Sequence, residues 1–186
     1  TVDMVGWDIH QAIVDNIYEN APDEAHDTLK LPDYMRQLIG KGTLGNKSGG
    51  GFFMKDGKRT LVLDPAGGKY LPTDEIELPE LTFIDDVTFL HRIGDYEAAM
   101  ARFVAATGKH AELAKRVVAG YVSYAFHRAG EVTDSIREID LIMAFGFNWA
   151  PPSALVDTIG LGPTVDMIRE ARLPVPEQLE RARAEG

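Results

Sequence analysis

Apolar residues recur at helical spacing early in the chain, at Ile9, Ala12, Ile13 and Ile17. That spacing predicts an amphipathic helix over 8–19, closed near Asn20-Ala21-Pro22 because proline cannot continue it. The polar stretch from Asp23 to Lys30 predicts a loop. Leu31-Pro32-Asp33 then opens a second helix that carries Tyr34, Met35, Leu38 and Ile39 and ends at Gly40-Lys41-Gly42. From Thr43 to Thr73 the texture changes. Glycine becomes dense, and two strand-like runs, 51–55 and 60–63, flank the turn signal Asp56-Gly57. The expectation is a two-stranded β excursion, with a second turn at Asp64-Pro65-Ala66-Gly67-Gly68.

Residues 73–82, with Pro79 and several acids, read as a linker between two helical units, 1–72 and 83–186. Beyond it the apolar spacing predicts helices near 83–92, 95–107, 110–129, 134–145, 152–158, 163–172 and 176–184. Ser135 and Glu138 have the spacing of a capping box. In helix 110–129, Leu113, Ala114, Val117, Val118, Tyr121, Val122, Ala125 and Phe126 cover most of the circumference, which predicts a central, buried helix.

Composition narrows the function classes. The chain is 186 residues long and 45% hydrophobic, enough for a core without staples. It has no cysteine, which removes disulfides and thiolate zinc sites and fits a reducing, cytoplasmic setting. Its net charge of -10 disfavours nucleic-acid binding as the main task. No apolar run approaches the roughly 18 residues of a membrane span. No histidine pair has the spacing of a zinc helix, no metal site is expected, and no G-x-S-x-G elbow occurs.

Two stretches resemble each other. Val2-Asp3-Met4-Val5-Gly6-Trp7-Asp8 lines up with Val156-Asp157-Thr158-Ile159-Gly160-Leu161-Gly162, and a helix follows each. About fifty residues of helix precede the second copy, ending in Asp140-Leu141-Ile142-Met143-Ala144-Phe145-Gly146-Phe147-Asn148-Trp149. Nothing precedes the first, so the expectation is a first repeat that lacks its leading helices and a chain that is a fragment.

The sharpest local feature is Gly45-Asn46-Lys47-Ser48-Gly49-Gly50-Gly51-Phe52-Phe53. It departs from a Walker A loop because Asn46, not glycine, precedes the lysine. Two readings of it stand. In one, the glycines permit a tight entry to the hairpin, and Lys47 pairs locally with an acid or a helix end. In the other, the loop admits a ligand closely, and Lys47 offers a point charge to a phosphate.

The same loop resembles the G-x-K-[ST]-G-x-G-F-[YF] signature of the C-terminal domain of NAD-dependent 3-hydroxyacyl-CoA dehydrogenases. The segments 31–39 and 139–149, with Asp157 and Gly160, are similar to that family as well, although Ala150-Pro151 stands where the family has glycine and proline. The nearest subgroup is the long bacterial fatty-acid oxidation type with two tandem C-terminal domains. The resemblance implies a mainly α fold of the 6-phosphogluconate dehydrogenase C-terminal-like type, duplicated, with a small β-hairpin insertion. It implies a substrate-binding and pseudo-dimerising role in β-oxidation, with Asn46, Lys47, Ser48, Gly49 and Gly51 shaping the acyl-CoA site.

Within the chain no catalytic residue is expected. The family's histidine–glutamate pair lies in the nucleotide-binding domain, and its substrate asparagine is replaced in the second repeat by Lys115. No G-x-G-x-x-G occurs, so NAD belongs to the parent protein, the fragment binds no cofactor, and it is inactive alone. The implied partners are acyl-CoA, the chain's own N-terminal domain and, for the fragment, a second copy of itself around Met4, Val5 and Trp7. The alternatives are a free-standing helical scaffold of the same fold, or the helical tail of a sugar-acid dehydrogenase.

Overall fold

The computed structural model describes residues 2–77 and 79–186; Thr1, and Leu78 of the predicted linker, lie outside the described residues. The described chain is mainly helical and divides into two compact units, Thr1–Pro79 and Glu80–Gly186.

The first unit opens on a single helical turn, α1 (Val2–Val5), which the sequence reading missed because four residues hold no periodicity. Gly6 breaks it, and α2 (Trp7–Asn20) follows. Helix α3 (Asp33–Gly40) is tied to α2 by a two-pronged ion pair, Arg36 to Asp15 at 2.5 and 3.1 Å. The β excursion has three strands rather than the expected two: β1 (Phe53–Asp56), β2 (Arg59–Asp64) and β3 (Lys69–Pro72), antiparallel in that order. The register pairs Phe53 with Val62 and Leu61 with Pro72. The turn at 64–68 forms as expected, with the Asp64 carboxylate accepting from Ala66 and Gly67 N–H at 3.0 Å. What the sequence hid is that the chain then returns as an edge strand. Its four residues are too few to alternate visibly, and Pro72 is tolerated only because the strand lies at an edge. Leu61 and Leu63 alternate inward along β2, and with Leu31 they are the buried apolar side chains among the described residues of this unit.

The second unit contains α4 (Thr82–Arg92), α5 (Tyr96–Ala105), α6 (Lys109–Arg128), α7 (Ile136–Leu141), α8 (Pro152–Ile159), α9 (Leu161–Glu170) and α10 (Glu177–Glu185). Its core gathers Phe103, Val122, Phe126, Val156, Val165 and Ile168. Helix α6 is central, as its length and pattern predict, but it is not enveloped. Its buried face is built on small residues, Ala111, Ala119, Ser123 and Ala125, which let α8 and α9 approach closely, while Leu113 and Val117 stand 61% and 57% exposed. Val118 is half-buried against the core.

Two further expectations give way. Ser135 makes no side-chain cap: its carbonyl accepts from Thr133 Oγ1 at 2.8 Å and from Glu138 N–H at 3.2 Å. The predicted helix 134–145 ends at Leu141 and widens into a π-helical turn over Ile142–Gly146, where Phe145 points outward. The start of α8 is held by Asp140, whose carboxylate accepts from Ser153 N–H and Oγ at 3.0 and 2.5 Å.

The two helix junctions singled out by the sequence share one backbone form. Gly6 has φ 116 and ψ 135, Gly160 has φ 95 and ψ 139, and each stands as the N-cap between two consecutive helices. An L side chain rarely adopts that conformation, so both positions call for glycine.

Candidate functional site

The glycine loop is built by close approach. Gly45 and Gly50 bridge each other, with Gly45 N–H donating to Gly50 O at 2.9 Å and Gly50 N–H returning to Gly45 O at 3.1 Å. Between them Asn46–Ser48 makes one 3-10 turn, closed by Gly49 in the left-handed region. The Ser48 hydroxyl accepts from Leu44 N–H at 2.9 Å and lies 3.1 Å from the carbonyls of Gly45 and Gly50.

The loop then docks on α1. The Asp3 carboxylate accepts from Phe52 N–H at 2.9 Å, Phe53 N–H at 2.7 Å and Trp7 Nε1 at 2.6 Å. A Cβ on Gly51 would fall inside that carboxylate, and one on Gly45 would strike the Asp3 backbone. Both glycines are buried. The Trp7 ring packs on Phe52 with centroids 4.7 Å apart. Tyr70 on β3 donates its hydroxyl to Gly51 O at 2.7 Å, and burial, then the Asp3 charge, push its phenol up.

Lys47 reaches the start of α2, where its Nζ meets Asp8 Oδ1 at 2.5 Å. That oxygen is screened from solvent, and the ammonium supplies its counter-charge. The hydrogen bond from Lys47 holds the Asp8 carboxyl below its ordinary value of 3.8.

Of the five residues the sequence singled out, Asn46, Lys47, Ser48 and Gly49 are exposed and adjacent, whereas Gly51 is buried under Asp3. Asp3 is the residue that sequence reasoning missed in this role. Its signal was present, since aspartate recurs at the matching place of both similar stretches, but the fifty-residue separation from Phe53 hid its use. Lys115 has a structural contact: its ammonium binds the Val104 and Ala106 carbonyls at 2.5 and 2.7 Å, at the C-terminal end of α5. Among the described residues no group of three or more His, Cys, Asp or Glu side chains could hold a metal ion, and no helix is long and apolar enough to cross a membrane.

With this geometry in place, the chain is found to be similar to a protein of Bacillus subtilis (strain 168) described as "Probable 3-hydroxyacyl-CoA dehydrogenase". The two are 26% identical over 177 residues, which is 95% of this chain and 22% of that protein. The chain therefore spans well under two thirds of that relative's length. No family model matches the chain, and no solved structure matches it significantly.

Two predictions follow from the loop's attachment. Asp3→Ala strands three N–H donors, at a cost of about 1.5–3 kcal/mol. Thermal melting should fall accordingly, and hydrogen exchange at the Phe52 and Phe53 amides should accelerate; unchanged exchange at both amides would contradict the latch. The second concerns pH. Because the folded Asp8 pKa is depressed, the stability it contributes is complete above the unfolded value and is lost as pH falls through the folded one. In a carboxyl NMR titration, Asp8 should titrate below 3.8 in the native chain and return toward 3.8 in Lys47→Ala.

Proposed function

We propose that this chain is the helical C-terminal part of an NAD-dependent 3-hydroxyacyl-CoA dehydrogenase of fatty-acid β-oxidation, in which it helps bind substrate and supplies subunit or pseudo-subunit contacts. The likeness to the Bacillus subtilis protein along nearly the whole chain carries this reading. The glycine loop supports it: a rigid exposed turn, Asn46 to Gly49, stands on a buried latch. In this reading Asn46, Lys47, Ser48 and Gly49 face acyl-CoA, and Gly51 acts by letting the loop dock. An ammonium carries three donors, so Lys47 can hold Asp8 and still offer a proton to a phosphate oxygen. The shared backbone form at Gly6 and Gly160 supports two repeats of one domain, the first at 1–72 and the second at 83–186.

Hydride transfer uses NAD, and the described residues do not fit a dinucleotide. The sheet is antiparallel, and no strand leads through a glycine-rich turn into a helix; Gly160 and Gly162 lie between and within helices. In this reading the chain's own contribution is binding and shaping. NAD and the proton-transferring residues belong, in this reading, to the rest of the parent protein. The isolated chain should show no NADH-dependent reduction of acetoacetyl-CoA. In the full-length parent, Lys47→Ala should raise KM for acyl-CoA about tenfold, equivalent to about 1.4 kcal/mol, with kcat and melting temperature unchanged. Lost stability with an unchanged KM would assign Lys47 to the loop's architecture alone.

A second reading, a helical interaction module, draws on the exposed apolar row Met4, Val5, Ile9, Ile13 and Ile17, of which Met4 is 77% exposed. Apolar ground of this kind favours association. Sedimentation velocity of the chain should show self-association that Ile9→Lys with Ile13→Lys abolishes; a monodisperse monomer would remove this consequence.

A further inference from the structure

A groove of about 750 Å³ runs along the N-terminal half of α6 and the C-terminal end of α9, within the second unit. Its lining combines opposed chemistries. Leu113 and Met167 supply apolar surface, while Lys109, Lys115, Arg116 and Arg172 outnumber the carboxylates Glu112 and Glu170 by two charges. This occurs in a chain whose net charge is -10.

Most of the unit's arginines are matched: Arg102 with Asp86, Arg128 with Glu131, Arg169 with Glu180, Arg181 with Glu177 and Arg183 with Asp166. Lys115 is taken up by the α5 carbonyls. Among the described residues, Lys109, Arg116 and Arg172 have no acidic partner within ion-pair distance, although Glu112 and Glu170 share the same walls. Arg92 and Arg137 are also unmatched, but they do not line the groove.

Arg172 adds an independent sign. It stands just past α9 with φ 58, closing the helix by Arg172 N–H to Arg169 O and Leu173 N–H to Ile168 O. That position ordinarily takes glycine, and a side chain there is strained. The helix end alone would be better made by glycine, so the guanidinium is placed at the groove at a cost in stability.

We propose that this groove binds a small molecule bearing a phosphate group and an apolar arm. The guanidinium forks of Arg116 and Arg172 suit phosphate oxygens, with Lys109 as a third charge. Leu113, 61% exposed, forms the surface on which the arm lies, and Met167, 5% exposed, closes the floor beneath it. A second, smaller cavity of about 340 Å³ shares Ala106, Thr107, Lys109 and His110 with the groove and continues toward Thr82 and Arg102. The site is separate from the glycine loop and stands whether or not the dehydrogenase reading holds.

The test uses the whole chain and phenyl phosphate, followed by amide chemical shifts and calorimetry. Saturable shifts should concentrate in 106–116 and 167–172. Arg116→Glu should weaken binding tenfold or more. Arg172→Gly should do the same while melting no lower than the native chain, since it relieves the backbone; this separates lost binding from lost folding. Arg137→Glu should leave affinity within twofold. Inorganic phosphate and phenol should each bind more weakly than phenyl phosphate. Unchanged affinity in both groove variants, shifts spread over the molecule, or phosphate or phenol alone binding as tightly would overturn the proposal.

Discussion

The Asp3 carboxylate joins the opening turn of the chain to a loop nearly fifty residues away, and the first unit depends on that junction. Three N–H donors converge on its two oxygens, one from an indole and two from consecutive backbone amides. Charge-assisted hydrogen bonds of this sort are stronger than neutral ones, and their geometry is directional. They fix where the sheet begins, and so where the exposed turn at Asn46–Gly49 points relative to α1 and α2. The glycines follow from the same constraint, because Gly45 and Gly51 leave room for the carboxylate and the backbone that carries it.

That polar junction matters because the first unit has little apolar core. Leu31, Leu61 and Leu63 are its buried apolar side chains, and α2 keeps a row of isoleucines in solvent. Its polar attachments include the Asp3 latch, the Tyr70 bond to Gly51 O, and the Arg36–Asp15 and Lys47–Asp8 pairs, both pairs partly exposed and individually modest. The second unit is organised differently. Small residues on α6 admit α8 and α9 at close range, and Phe103, Val122, Phe126 and Ile168 fill the space between them. The same choice leaves Leu113 and Val117 outside, so α6 serves at once as the centre of the core and as one wall of the charged groove.

The likeness to a probable 3-hydroxyacyl-CoA dehydrogenase is modest in identity but runs along nearly the entire chain, and the helical architecture agrees with it. Chemistry is divided accordingly in the proposed reading: this part shapes and binds, and hydride and proton transfer belong elsewhere in the parent. The loop's exposed face and the groove on the second unit are two separate opportunities for an anionic ligand. Lys47 already holds a carboxylate, whereas among the described residues Arg116 and Arg172 have no acidic partner within ion-pair distance.

By itself the sequence determined the long amphipathic helices, the glycine-rich interruption, the hairpin turn at Asp56-Gly57 and the central place of the helix at 110–129. These features rest on local periodicity and turn chemistry, which neighbouring residues carry between them. It also marked the glycine loop as special and paired the stretches around Gly6 and Gly160. Tertiary structure alone decided that Asp3 is the latch, that Lys47 turns to Asp8, that β3 completes the sheet, that Asp140 secures the start of α8 and that Ser135 makes no side-chain cap on α7. Each of these depends on a partner distant in the chain, or on an edge position with too few residues to show a pattern. The exposed side of α6 was hidden for a related reason: apolar side chains mark which positions could be buried, but which are buried depends on where α8 and α9 come close, and the alanines permit that approach.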